Sequence, residues 1–330
     1  MFEKYKKIIL AFVMGIALPI SILFLPPKYH AQKNQLTENG EETQDTLVQT
    51  LVTMPVQQRQ ESAYVTVKEL GQMRLEEYIV GVVLAEMPPS FHLEALKAQS
   101  VVARTYTLKR QKLADKHPDA DVCTDSACCQ AYITKTDFLN KGGTKEEFSL
   151  VSKAVQDTQN QVLTYEQNLI EATYFSCSGG RTEAALTVWG ADIPYLQAQE
   201  SPGEENAPVF TDTVSFSREQ IKCLLGTTWT GNAEAWIGDA SYTTGGGVER
   251  ITLGDEIFSG TQLRTLLQLR STAFELRVEG DLLAVTTKGF GHRVGMSQYG
   301  ADAMADLGSS WQEILAYYYP GTEITVWPTD

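Results

Sequence analysis

Four groups of residues in this chain have the types and spacing to do chemistry: a glutamate at a helix end, two glycine-framed polar stretches and a knot of cysteines. In LEEYIVGVVLAEMPPS, residues 75–90, Leu75, Tyr78, Ile79, Val82 and Val83 recur at the i, i+3, i+4, i+7 and i+8 positions of one apolar helix stripe. Glu86 falls at i+11 on that stripe, whereas Glu76 and Glu77 lie off it, where water is expected. A carboxyl group on the buried side of a helix is costly to ionise, so its pKa rises. That is the state a general acid needs near neutral pH. Pro88 and Pro89 must stop the helix at once, leaving Glu86 at its lip within reach of a substrate. The alternative is a structural glutamate that caps a neighbour or pairs with Lys97 or Arg104.

YFSCSGGRTEAALTVWGADIPYLQAQESPGEE, residues 174–205, brings a strand into Ser176, Ser178, Gly179 and Gly180. Paired glycines let backbone approach a ligand closely and expose its N–H groups. Trp189 and Tyr195 offer flat faces to sugar rings; an ordinary turn with core aromatics is the alternative. In KGFGHRVGMSQYGADAMA, residues 288–305, Gly289, Gly291, Gly295 and Gly300 frame His292, Ser297, Gln298 and Tyr299. This reads as a binding loop just before a helix, and its spacing excludes a dinucleotide or phosphate loop. His292 alone reads equally as a satisfied structural residue. His117, Cys123, Cys128 and Cys129 fall within thirteen positions, a set that suits tetrahedral zinc, with a disulfide as the rival. Five cysteines leave an odd one, and adjacent Cys128 and Cys129 cannot easily bridge each other. No HExxH motif is present, so the metal would be structural, in a closed site.

These groups need elements to position them. SAYVTVKEL (62–70) alternates like a strand, and helices are expected over 74–87 and about 92–112. Thr144 and Glu147 have capping-box spacing before a helix over 144–158. QVLTYE and LIEATYFS read as paired strands, SREQIKCLLG as a capped helix ended by glycine, and further short strands and helices follow in mixed order. Without regular βαβ alternation the class is α+β: one large extracytoplasmic domain of helices and mostly antiparallel strands, spanning 61–330 after an N-terminal transmembrane helix. Lys4, Lys6 and Lys7 precede eighteen uncharged residues, Ile8 to Leu25, just enough to span a bilayer. The run ends in Pro26 and Pro27, a poor cleavage site, although a cleaved signal is the alternative. Residues 1–27 thus read as a cytoplasmic stub and single-pass anchor in the cell membrane, with the bulk of the chain outside. Residues 28–60, rich in Gln, Glu, Asn and Thr, read as a stalk. A net charge of −14 argues against nucleic acid but leaves open a sugar polymer.

Taken together, LEEYIVGVVLAEMP, EALKAQSVVARTY, YFSCSGG with the later VWG, PYL and SP, and GHRVGMSQYGA resemble the motifs of the stage II sporulation protein D family of membrane-bound peptidoglycan lytic transglycosylases, in order across residues 61–330. The resemblance implies that Glu86 cleaves the β-1,4 bond between N-acetylmuramic acid and N-acetylglucosamine to a 1,6-anhydro product. The substrate would be glycan stripped of stem peptides, and no cofactor would enter the catalysis. It implies further that Arg104, Tyr174, Ser176, Ser178, His292, Gln298 and Tyr299 hold glycan. The partners implied are peptidoglycan strands, the sporulation amidase (stage II sporulation protein P) and a membrane protein (stage II sporulation protein M), at the engulfing septum of a sporulating cell. Two departures stand out. Arg293 replaces a family glycine, which changes the backbone beside His292 or adds a cation for the glycan. The family's zinc set resembles two His and two Cys, where this chain has Cys128. A related branch, the amidase enhancers, implies the alternative of a non-catalytic peptidoglycan-binding module.

Overall fold

The computed structural model describes residues 63–328 apart from 230 and 233. The expected anchor and stalk lie outside the described residues, and among the described residues no helix is long and apolar enough to cross a membrane. A short hairpin, β1 (Tyr64–Val67) and β2 (Gly71–Arg74), leads into α1 (Leu75–Glu86). The five stripe residues of α1 are all buried, as the periodicity requires. α2 (Leu93–Leu113) starts with the His92 imidazole accepting from the Glu94 N–H at 3.2 Å and ends at Ala114 in the left-handed region. It is buried on nearly every side, because α1, α4 (Lys145–Asp157), β3 (Gln161–Tyr165), α8 (Gln298–Asp306) and α9 (Trp311–Tyr318) pack around it. The Thr144–Glu147 capping box of α4 forms on both sides. Between α2 and α4 run a long loop and the short α3 (Lys135–Asn140).

The two strands read as a pair do meet, but only beside their turn. Glu166 and Gln167, both at positive φ, turn the chain so that β4 (Asn168–Leu169) pairs with β3 for only two residues. On the other side of β3 lies β13 (Glu323–Val326). The chain then leaves that sheet, and β5 (Tyr174–Phe175) pairs in parallel with β12 (Met296–Ser297), the one parallel strand pair among the described residues.

After α5 (Ala185–Trp189) the chain builds a smaller lobe with its own core of Ile221, Trp229, Leu253, Leu263, Leu283 and Val285. β6 (Thr211–Ser217), α6 (Arg218–Leu225), β7 (Ile237–Tyr242), β8 (Val248–Leu253), β9 (Glu256–Ser259), α7 (Gly260–Leu266), β10 (Ala273–Glu279) and β11 (Leu282–Lys288) make up this lobe. Its two antiparallel sheets have the orders β10-β11-β6 and β7-β8-β9. Chain leaving and chain returning meet where the Gly289 N–H donates to the Phe210 carbonyl at 2.8 Å. The lobe is thus an insertion between the two glycine-framed stretches, and the architecture is α+β. The stretch read as a loop over 288–305 is half helix: Ser297 accepts from the Gly300 N–H and starts α8.

Candidate functional site

Glu86 is the last residue of α1, with two prolines close behind. Its half-buried carboxyl group accepts from the Ala131 N–H, 2.6 Å from Oε1, and lies beside the Tyr174 hydroxyl. Burial raises its pKa above the usual carboxylate value, and the Ala131 N–H and the nearby Tyr174 hydroxyl offset only part of that shift. Neither pairing suggested by the sequence forms: Lys97 meets Glu94 at 2.8 Å and Asp157 at 3.4 Å, and Arg104 meets Glu76 at 2.6 Å. The carboxyl does brace a neighbouring segment, through Ala131.

That segment is the loop after α2, and it can lie on α1 because position 81 is glycine. The Ile133 N–H donates to the Gly81 carbonyl at 3.1 Å, and a Cβ at Gly81 would come within 2.3 Å of the Tyr132 ring. A mid-helix glycine costs about 1 kcal/mol relative to alanine, which the close approach explains here. Tyr132 stacks on Tyr78 with centroids 5.5 Å apart. The same loop gathers His117, Cys123, Cys128 and Cys129, whose ligand atoms all lie within 4.8 Å of one another. His117 Nε2 is 3.4 Å from Cys129 Sγ and 3.7 Å from Cys128 Sγ, and the two sulfurs are 3.9 Å apart. Tetrahedral zinc would separate such ligand atoms by roughly 3.5–3.8 Å. All five cysteines are free thiols in this structure. Burial pushes the Cys129 thiol up, so a metal would have to displace its proton.

β5 and α8 close the other side. The Ser176 carbonyl accepts from the Tyr299 N–H at 3.1 Å and from the Ser297 hydroxyl at 3.5 Å. The Tyr299 ring meets Phe91 edge-on at 4.9 Å, and the His92 N–H donates to Asp302 at 2.7 Å, so α8 clasps the turn that follows Glu86. Tyr174, Ser176 and Tyr299 are half-buried; of the three, Tyr174 acts on Glu86, and Tyr299 meets the turn that follows it. Gln298 is buried, its side-chain nitrogen without a hydrogen-bond partner.

Several sequence expectations need correction. Arg104 has no exposed surface: its guanidinium is saturated by Glu76 and the carbonyls of Ser100, Val155 and Gln161, which makes it a structural arginine. Glu76, expected in water, is half-buried as its partner. Ser178 is equally interior. Its N–H and hydroxyl both donate to Glu204 Oε2 at 2.8 Å, joined by the Gly179 N–H at 3.1 Å. The cradle that the paired glycines offer is therefore filled by the protein's own carboxylate. Tyr195 is buried, its hydroxyl accepting from the Glu171 N–H. His292 accepts at Nδ1 from the Val294 N–H and sits close to the Tyr174 backbone, wedged between Phe175 and Trp189. Burial, with Arg264 nearby, lowers its pKa to about 4, so it is neutral near pH 7 and supports the 43 % exposed Trp189. Arg293 adds no cation to the surface. At φ 66° and 2 % exposed, it donates to the carbonyls of Ser178, Arg181 and Gly245 and meets Glu183 at 3.3 Å.

Sequence reasoning missed Gln130, Glu183 and Glu204. Gln130 follows the cysteines directly, but nothing separates Glu204 from Glu205 in a row of polar residues.

Fold and site define an α+β protein with one half-buried glutamate beside a thiol-rich loop. A family model described as Stage II sporulation protein (SpoIID) matches residues 63–165. The chain is 34 % identical to Stage II sporulation protein D of Bacillus subtilis (strain 168), over 98 % of this chain and 96 % of that protein. It is 37 % identical to Stage II sporulation protein D of Bacillus amyloliquefaciens, over 76 % of this chain and 74 % of that protein. It also matches the Amidase enhancer of Bacillus subtilis (strain 168) at 31 % identity, over 74 % of this chain and 40 % of that protein. The chain belongs to the stage II sporulation protein D family.

Proposed function

We propose that this protein is a lytic transglycosylase that cleaves the N-acetylmuramic acid–N-acetylglucosamine bond of peptidoglycan glycan stripped of stem peptides, during sporulation. The observation that carries this reading is the Glu86 carboxyl group: half-buried, raised in pKa by burial and placed at a helix lip. Hydrolytic glycosidases use a pair of carboxyl groups to activate water or form a covalent intermediate. One suffices when the sugar's own C6 hydroxyl attacks. Glu86 gives its proton to the leaving glycosidic oxygen as the C1–O bond breaks. Its carboxylate then takes the C6 hydroxyl proton as that oxygen bonds to C1, closing the anhydro ring and restoring the acid. Tyr174, Ser176, Gln298 and Tyr299 would line the approach and orient the sugar. His117, Cys123, Cys128 and Cys129 would hold one structural Zn²⁺, whose part is to stiffen the loop that presents Ala131 to Glu86.

The anchor over residues 8–25 would tether the enzyme to the membrane with its folded part outside. An amidase that strips stem peptides would supply the substrate; stage II sporulation proteins P and M are the partners proposed. The test is mass spectrometry of denuded glycan after incubation with the protein. Anhydro-terminated fragments are expected. Binding without cleavage would instead assign the protein to wall recognition in support of an amidase, the reading that its likeness to an amidase enhancer favours.

A further inference from the structure

Beside Glu86 a chain of hydrogen bonds has its polarity set from one end. The Thr107 hydroxyl donates to the Ala103 carbonyl at 2.8 Å, so its single proton is committed and its oxygen can only accept. Gln130, 1 % exposed, must therefore turn its amide nitrogen to Thr107, 2.9 Å away. That orientation points Gln130 Oε1, an acceptor, at the Tyr174 hydroxyl 3.2 Å away. The Glu86 carboxyl group is the other acceptor beside Tyr174 Oη, whose direct bond in this structure is the one to Gln130. One hydroxyl proton thus faces two acceptors.

We propose that Gln130 is a positioning residue for Glu86: held by Thr107, it gives the Tyr174 hydroxyl a second acceptor, so that this proton turns toward Gln130 when Glu86 is protonated and toward Glu86 when it is ionised. In the protonated state Glu86 donates to Tyr174 Oη, and Tyr174 donates to Gln130. In the ionised state Tyr174 donates to the carboxylate, and Gln130 Oε1 is released. No proton is transferred; one O–H bond rotates. A carboxyl group that must give and then take a proton thereby keeps a partner in both states, and the cost of freeing Gln130 Oε1 falls on the ionised state alone. The inference deepens the proposed reaction and rests on it for the use of both states, whereas the hydrogen-bond polarity stands on the geometry alone.

The ionisable groups facing Glu86 are Tyr78 of its own helix and Tyr174 of β5. Tyr106 and the Cys123 and Cys129 thiols act on those tyrosines, and burial keeps all three phenols protonated across the working range. The experiment follows the Glu86 carboxyl carbon by ¹³C NMR titration in the full-length protein, assigned by its loss in Glu86→Gln. Tyr174→Phe removes the donor and should move the Glu86 midpoint up. Gln130→Met removes the competing acceptor and should move it down, and the double variant should match Tyr174→Phe. If the protein is the proposed enzyme, the alkaline limb of its pH–rate profile should follow each midpoint, and Tyr174→Phe should slow turnover roughly tenfold. A midpoint unmoved or lowered in Tyr174→Phe, or raised in Gln130→Met, would overturn the inference. Should Gln130→Met fail to fold, the Tyr174→Phe arm decides. Titration shifts in the expected directions with no anhydro products would sink the reaction but not the switch.

Discussion

Glu86 meets two conflicting demands, because burial favours the acid form whereas the Ala131 N–H and the Tyr174 hydroxyl favour the base. Glu86→Gln keeps the shape and one acceptor oxygen, so fold and glycan binding should survive while anhydro product falls at least about a hundredfold, the scale of a lost general acid. The same substitution should reveal a cost in stability. A carboxyl group whose pKa is raised by folding holds its proton more tightly in the native state. Its contribution to stability is therefore complete below its unfolded pKa and is lost as pH rises through the folded value. Relative to Glu86→Gln, the native protein should lose Tm with rising pH across that window; parallel melting curves at pH 4 and pH 8 would contradict this. Arg104 obeys the opposite logic. With no exposed surface and its fork on Glu76, Arg104→Ala should cost roughly 3–5 kcal/mol in urea unfolding by stranding a half-buried carboxylate. Glycan affinity per folded molecule should not change.

At the scale of elements, the loop between α2 and α3 holds Glu86 through one N–H, two residues beyond Cys129. Four ligand atoms within 4.8 Å give that loop a reason to be ordered. Protein purified without chelator should contain about one zinc per chain, by the closed four-ligand argument. Strong chelation or Cys123→Ser should lower Tm, with activity falling only as the loop loosens. Metal-free protein with two of these cysteines oxidised would refute the zinc assignment.

For the molecule as a whole, the question is how an inserted lobe is held against the site. Arg293 and Glu183 form the tie. Glu183 accepts from the Thr243 hydroxyl at 2.7 Å and the Gly247 N–H at 3.0 Å, and Arg293 reaches the Gly245 carbonyl at 2.6 Å, all on one turn of the smaller lobe. The two side chains are 1 % and 2 % exposed, so removing either alone leaves a buried group uncompensated. A double-mutant cycle on Arg293→Ala and Glu183→Ala should return a coupling of about 0.5–3 kcal/mol in unfolding free energy; additive effects would mean the pair is no tie. For the intact cell, the proposed tether predicts that protease added outside protoplasts digests the folded part and spares the first residues. A mature form starting beyond Pro27 would show a cleaved signal instead.

The sequence by itself determined the local elements and the composition of the site. The apolar stripe of α1 and its proline stop, the capping box of α4, the α+β class and the four metal-ligand candidates all rest on spacing, which short-range geometry converts into structure. Only the tertiary structure decided which polar residues face outward. Arg104, Ser178 and Arg293 look like ligand contacts in one dimension, yet each is held by partners 26 to 115 positions away. The parallel pairing of β5 with β12 spans a lobe inserted between their sequences, and the filling of the glycine cradle by Glu204 depends on a chain reversal that local spacing does not show. Local propensity carries no information about such distant partners. A polar side chain's role follows from whether the fold brings it a mate or leaves it to water.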